Sequence, residues 1–161
     1  LVSWNSSTNI YWNLAWYLAN IVGFLTNNSI VFNIKSSKSN KFSSFNISWQ
    51  EFLLRDSQNI LQSQAIVLIG SRISVLGLNC EYCGYENCAS KPESVPCFFN
   101  SNDLGIAIGS ACSTAADWKV DNRVMFSVGL AAKELNLMED CPIVLAIVLS
   151  ASGKSVFFDR K

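Results

Sequence analysis

A chain of 161 residues, half of them hydrophobic and only 15% charged, is long enough for one domain with a sizeable buried core. Twelve basic residues balance twelve acidic ones, so no cationic excess is available to neutralise phosphates, and a general nucleic-acid role is excluded. Histidine is absent, and with it Ser-His-Asp and Cys-His nucleophile chemistry, imidazole acid–base catalysis, His-containing zinc sites and Rieske-type ligation.

Residues 1 to 34 carry no charged side chain. Within them Ile10 to Leu25 is strongly apolar, yet it is shorter than the about 20 residues of a membrane span and contains Asn13 and Asn20. No basic region precedes it, so it does not read as a signal peptide, and no membrane role is expected. Ile10, Leu14, Tyr17, Leu18, Ile21 and Leu25 share one helical face, while Trp12, Trp16, Ala19 and Gly23 share another. A helix buried on two sides predicts a homo-oligomer contact.

Ser29 to Lys35 alternates as a strand does, with Ile30, Phe32 and Ile34 on one side. A polar, basic connection follows over 36 to 46. Ser48-Trp49-Gln50-Glu51 fits a capping box, which predicts a helix to about Ser63 with Phe52, Leu53, Ile60 and Leu61 inward. Ala65 to Gly70 (AIVLIG) is a continuous apolar run and predicts a buried, central strand.

The stretch from Asn79 to Cys97, NCEYCGYENCASKPESVPC, holds four of the six cysteines. Cys80, Cys83, Cys88 and Cys97 are spaced C-x2-C-x4-C-x8-C, a set of soft thiolates able to hold a [4Fe–4S] cluster. Gly84 allows a tight turn there, and the backbone N–H groups of such a loop are donors that cluster sulfurs accept. A structural zinc site also takes four cysteines, usually as two C-x2-C-like pairs, and here the second pair is missing. Six cysteines also permit three disulfides, but Cys80 and Cys83 are too close in sequence to staple a core. Clustered thiols without evident pairing point to a reducing compartment, the cytoplasm, and an exposed cluster to an anaerobic setting. The sequons at Asn5, Asn27 and Asn46 follow from a chain rich in Asn and Ser.

Asp103 is the expected N-cap of a helix from Leu104 to about Trp118, whose Gly105, Gly109 and Ser113 form a small-residue seam for close packing. Asp121 is expected to cap a helix from Asn122 to about Leu137, with Val124, Val128, Ala131, Ala132 and Leu135 as its apolar stripe. Ile143 to Leu149 (IVLAIVL) predicts a second buried strand. Gly153-Lys154-Ser155 is not a phosphate loop, because Val148 stands where that motif needs glycine. Gly105 to Gly109 is not a dinucleotide fingerprint, since its glycines lie inside a helix. Cys112 reads as a packed core thiol, and Cys141, before Pro142, as either a packed thiol or a ligand. Together these elements predict a single α/β domain over 1–161, a small sheet flanked by helices, with the cluster loop embedded at 79–97.

From about Glu51 onward the chain resembles an uncharacterised family of "ferredoxin domain-containing" proteins found mainly in anaerobic bacteria and archaea. FLLRDSQNI (52 to 60), AIVLIG (65 to 70), LGLNCEYCGYENC (76 to 88), DLGIAIGSACSTAADWKVDNRVMFSVGLAAKELNLM (103 to 138) and LSASGKSVFFDR (149 to 160) carry the likeness. It implies that Cys80, Cys83, Cys88 and Cys97 are cluster ligands. The local C-x2-C-G-x3-C pattern is also similar to the [4Fe–4S] modules of corrinoid iron–sulfur proteins and of membrane electron-transport subunits. The first 50 residues depart from the family pattern, which opens with an amphipathic helix containing Ala and Arg. A fainter likeness, through the helix that begins Asp-Leu-Gly-Ile-Ala and the later strand with its small-residue turn, is to nitroreductase-type flavin enzymes. It implies a homodimer with FMN at the interface, for whose phosphate Arg55, Arg72, Lys154 and Arg160 are candidates; each also reads as an ordinary surface charge. The expected function is intracellular electron transfer with a redox partner protein. The alternatives are a flavin-dependent oxidoreductase fed by the cluster and a zinc-stabilised binding or assembly module.

Overall fold

The two most apolar stretches of the chain pair with each other at the centre of the molecule. A computed structural model describes residues 30–36 and 51–158. Its strands are β1 (Ile30–Ser36), β2 (Ala65–Ser71), β3 (Asp121–Met125) and β4 (Ile143–Ser150). They form one four-stranded sheet in the order β1-β2-β4-β3. All three pairings are antiparallel, with Phe32 opposite Ile69, Val67 opposite Ile147, and Val124 opposite Ile147 from the other side. AIVLIG and IVLAIVL are therefore the two interior strands, as expected.

Continuous apolar runs in these strands follow from helices on both faces of the sheet. Helix α2 (Phe98–Asp117) lies on one face, where Leu104, Ala107, Ala111 and Ala115 meet Val67, Ile69, Ile147 and Leu149. Helices α1 (Glu51–Gln62) and α3 (Phe126–Glu134) belong to the other, where Ile60, Val128, Ala131 and Ala132 join Ile66, Leu68, Ala146 and Val148. Each fully buried Ile, Leu or Val contributes about 1.5–3 kcal/mol of apolar burial. The two helices of the second face are tied by a buried hydrogen bond in which Ser127 Oγ donates to Asp56 Oδ2 at 2.6 Å. Gly129 lets α3 approach β4 backbone to backbone, since a Cβ there would stand 2.1 Å from the carbonyl oxygen of Val144.

Several expectations need correction. Asp121 opens a strand, not a helix: α2 ends with Lys119 at φ +58°, the Val120 N–H returns to the Ala115 carbonyl at 2.9 Å, and the chain pairs at once with β4. The helix expected from Asn122 begins only at Phe126, and Val124 is exposed on the edge strand β3. Ladder bonds to β4 outweigh a helical pattern that does continue through Val128, Ala131 and Ala132. Leu61, expected inward, is 59% exposed. Gly105 and Gly109 face open space with no atom within 4 Å, so their seam packs against nothing among the described residues.

The helix expected over Ile10 to Leu25, its oligomer contact, the capping residue Ser48 and Arg160 lie outside the described residues, as do the side chains of Phe52 and Leu53. No helix among the described residues is long and apolar enough to cross a membrane.

Candidate metal centre

The cysteine loop leaves β2 at Ser71 and returns to the fold at α2. Both ends of the loop are held by Asn100, whose side chain is 1% exposed. Its Nδ2 donates to the carbonyls of Arg72 at 3.3 Å and Ser74 at 3.1 Å, and Ser71 Oγ donates to the Asn100 carbonyl at 3.4 Å. The outgoing and incoming segments are thus clamped together one turn into α2. Asn100→Leu leaves two part-buried carbonyls without this donor, and we expect a loss of about 1–2 kcal/mol, read as a lower denaturation midpoint. An unchanged midpoint would mean that Asn100 does not clamp the loop.

Within the loop the backbone turns repeatedly through left-handed conformations, at Asn79 (φ +47°), Glu81 (+61°) and Gly84 (+81°). Asn tolerates this region and Gly has no Cβ to clash, whereas Glu81 is strained by about 1–2 kcal/mol. Gly84 makes the expected tight turn, its N–H donating to the Glu81 carbonyl at 2.8 Å. Asn79 and Cys88 are joined twice. The Asn79 N–H donates to Cys88 Sγ at 3.3 Å, and the Cys88 N–H donates to Asn79 Oδ1 at 2.9 Å. The helical turn Cys88–Ser90 is capped by Asn87, whose Oδ1 accepts from the Ser90 N–H at 2.9 Å.

This folding brings all four predicted cysteines to the wall of one cavity, together with Leu78, Lys91 and Phe98. Cys80, Cys83 and Cys88 are half-buried, Cys97 is buried, and none is in a disulfide. Helix α2 begins at Phe98, not at Leu104 as expected, so Cys97 occupies its N-cap. The positive end of a helix favours anionic sulfur there. Tyr82, Phe98 and Phe99 form a ring cluster with centroids 5.4 to 5.7 Å apart, of which Phe98 lines the cavity.

Among the described residues no three Cys, Asp or Glu side chains stand close enough to form a group that could hold a single metal ion. A tetrahedral zinc with Zn–S of about 2.3 Å needs its sulfurs within about 4 Å of one another. Four soft thiols on one cavity wall, with an N–H already directed at sulfur, are a donor set that suits a metal–sulfur centre.

The other candidates stand apart from this cavity. Cys112 packs against the α2 core, and burial pushes its thiol above the ordinary range. Cys141 is buried in the second core, its thiol pushed up by burial, drawn back by Arg72 and raised again by Asp140. Arg55 pairs with Asp56 at 2.9 Å and Arg72 with Asp140 at 3.4 Å, while Lys154 lies in the turn after β4. The structure gathers none of these cations at the cysteine cavity. Two residues of the site escaped sequence reasoning. Asn100 carries no signal in a chain rich in Asn, whereas Lys91 had one, being the sole basic residue between Arg72 and Lys119.

Comparison with known proteins bears on the fold and on part of the sequence. An uncharacterised protein of Archaeoglobus fulgidus is 41% identical over 117 residues, which is 66% of this chain and 63% of the archaeal protein, so the chain spans less than two thirds of that relative. An oxidoreductase containing FMN superposes with a TM-score of 0.57 over 91% of this chain and 70% of that one, at 11% identity. A Desulfovibrio desulfuricans protein assigned as a nitroreductase, in complex with FMN, gives 0.50 over 91% and 78%, at 13% identity. At such identities the likeness concerns the fold, which is nitroreductase-like. Residues 93–160, less than half of the chain, match a family described as uncharacterised proteins containing a ferredoxin domain, and the matched segment includes Cys97.

Proposed function

We propose that this chain is an iron–sulfur protein that holds a [4Fe–4S] cluster on Cys80, Cys83, Cys88 and Cys97 and passes single electrons between protein partners in the cytoplasm. The observation that carries this reading is the convergence of four thiols, spread over 18 residues of sequence, on one cavity wall. The ferredoxin domain named in the family description supports it. When bound, the cluster supplies a one-electron couple: one electron enters from a reduced donor protein and leaves to an oxidised acceptor, with no bond or proton change. The chain's own residues do the rest. Thiolates ligate, the Asn79 N–H withdraws charge from the sulfur of Cys88, and Phe98 adds apolar surface to the wall. None of the cysteines acts as a nucleophile.

Flavin chemistry is the second reading, favoured by the nitroreductase-like fold and by two solved neighbours that contain FMN. In it the cluster feeds an FMN held between subunits of a homo-oligomer.

Metal, acid-labile sulfide and flavin are to be measured on protein purified without oxygen. About four iron and four sulfide per chain are expected. Flavin in addition would move the oxidoreductase reading to first place, and zinc without sulfide would end the electron-transfer reading in favour of a structural knot.

A further inference from the structure

Lys91 is the one basic residue in the 46 positions between Arg72 and Lys119, and it is not at the surface. It is 7% exposed and lines the cavity that the four cysteines line. Its Nζ donates to the carbonyls of Val95 and, at 3.4 Å, of Pro92. Among the described residues no carboxylate lies within ion-pair distance of it. An ammonium has three donors and no acceptor, so both carbonyls suit it, yet two neutral dipoles do not cancel a buried charge. A buried cation without an anion is costly unless an opposite charge completes the site.

Such a charge is present as soon as the thiols ionise to bind metal. The remaining charges of the loop are acidic and exposed, at Glu81, Glu86 and Glu93, and Glu81 also lines the cavity, beyond ion-pair distance of Lys91, so nothing else in the segment offsets the thiolates. The position of Lys91 is also built. Pro92 and Val95 close a turn, the Val95 N–H donating to the Pro92 carbonyl at 3.0 Å, and the two carbonyls that hold the ammonium come from that turn.

We propose that Lys91 is the fixed counter-charge of the metal centre, a positioning residue that sets the reduction potential of the cluster without ligating it. The inference rests on the iron–sulfur reading above. Each reduction adds one negative charge to the centre, and a cation fixed in a poorly solvated wall stabilises the reduced state more than the oxidised one. Lys91 therefore raises the potential.

The test compares Lys91→Gln, which keeps donors for the two carbonyls but loses the charge, with Lys91→Arg, which keeps the charge. Potentials are read by anaerobic titration of the purified, cluster-loaded proteins. For Lys91→Gln the oxidised-to-reduced ratio at a given poise is expected to rise about tenfold, a fall of about 59 mV for a one-electron couple. Lys91→Arg is expected to stay within about twofold of the wild type, or about 18 mV. Iron retained by the arginine variant and lost by the glutamine variant would equally support a charge requirement. A glutamine variant whose potential matches the wild type overturns the proposal. So does equal loss of iron or of fold in both variants, which would make Lys91 a staple of the turn. Failure of the underlying reading shows itself separately, as wild-type protein with no iron or sulfide.

Discussion

Cys83→Ala is expected to abolish the cluster or convert it to one of lower iron content, while Cys112→Ala leaves iron content as in the wild type. The contrast follows from where the two thiols stand. Cys83 is half-buried on the cavity wall with Cys80, Cys88 and Cys97, and neither Cys112 nor Cys141 lines that cavity to replace it. Cys112 is similarly half-buried but packs against the α2 core, and its burial disfavours the thiolate that metal binding requires. Iron and sulfide per chain, with the visible absorbance band, report the outcome. The same result is expected for Ala at Cys80, Cys88 or Cys97. Equal iron loss on replacing Cys83 and Cys112 would sink the ligand assignment.

Gly129→Ala is expected to be among the most destabilising single-methyl changes available in this chain. The added Cβ would lie 2.1 Å from the carbonyl oxygen of Val144 and 2.8 Å from its carbon, both backbone atoms of an interior strand. No side-chain rotation relieves that contact, so α3 must lift from β4 and open the packing of Val128, Ala131 and Ala132. We expect a loss of about 3 kcal/mol, measured by denaturant unfolding at an unchanged slope. Gly105→Ala and Gly109→Ala serve as controls. They lie on α2 with nothing within 4 Å and are expected to be stabilising by up to about 1 kcal/mol, through helix propensity alone. A Gly129→Ala protein as stable as its parent would mean that the close approach of α3 to β4 is not a constraint on the fold.

The small-residue seam shows why a pattern of glycines is a weak guide. Gly105 and Gly109 have the spacing of a packing seam and pack against nothing described, whereas Gly129 has no such spacing and carries the closest approach. What distinguishes them is the partner surface, and that partner, β4, lies in a different part of the chain.

The candidate ligands were legible because metal chemistry is local: four thiols in 18 residues of a turn-rich segment have few other uses. The loop's support was not. Asn100 acts by reaching Arg72 and Ser74 across the loop it closes, and a residue whose role is to join two distant backbone segments has no signature of its own. Lys91 lay between. Its isolation among acidic neighbours was visible in the sequence, but only the structure reveals that it is buried and lines the cavity of the cysteines.

By itself the sequence determined the two interior strands, the helices around 51 to 62 and 104 to 118, and the four thiols, because burial on both faces, helical periodicity and ligand spacing are properties of short segments. Tertiary structure decided the rest. Both faces of an antiparallel sheet are covered here, so apolar runs could not report strand direction, and pairing with β4 turned Asp121 to Met125 into a strand against its helical pattern. The same long-range packing placed Cys97 at the start of α2 and enclosed Lys91 beside it, since where a helix begins next to a loop depends on what the loop is clamped to.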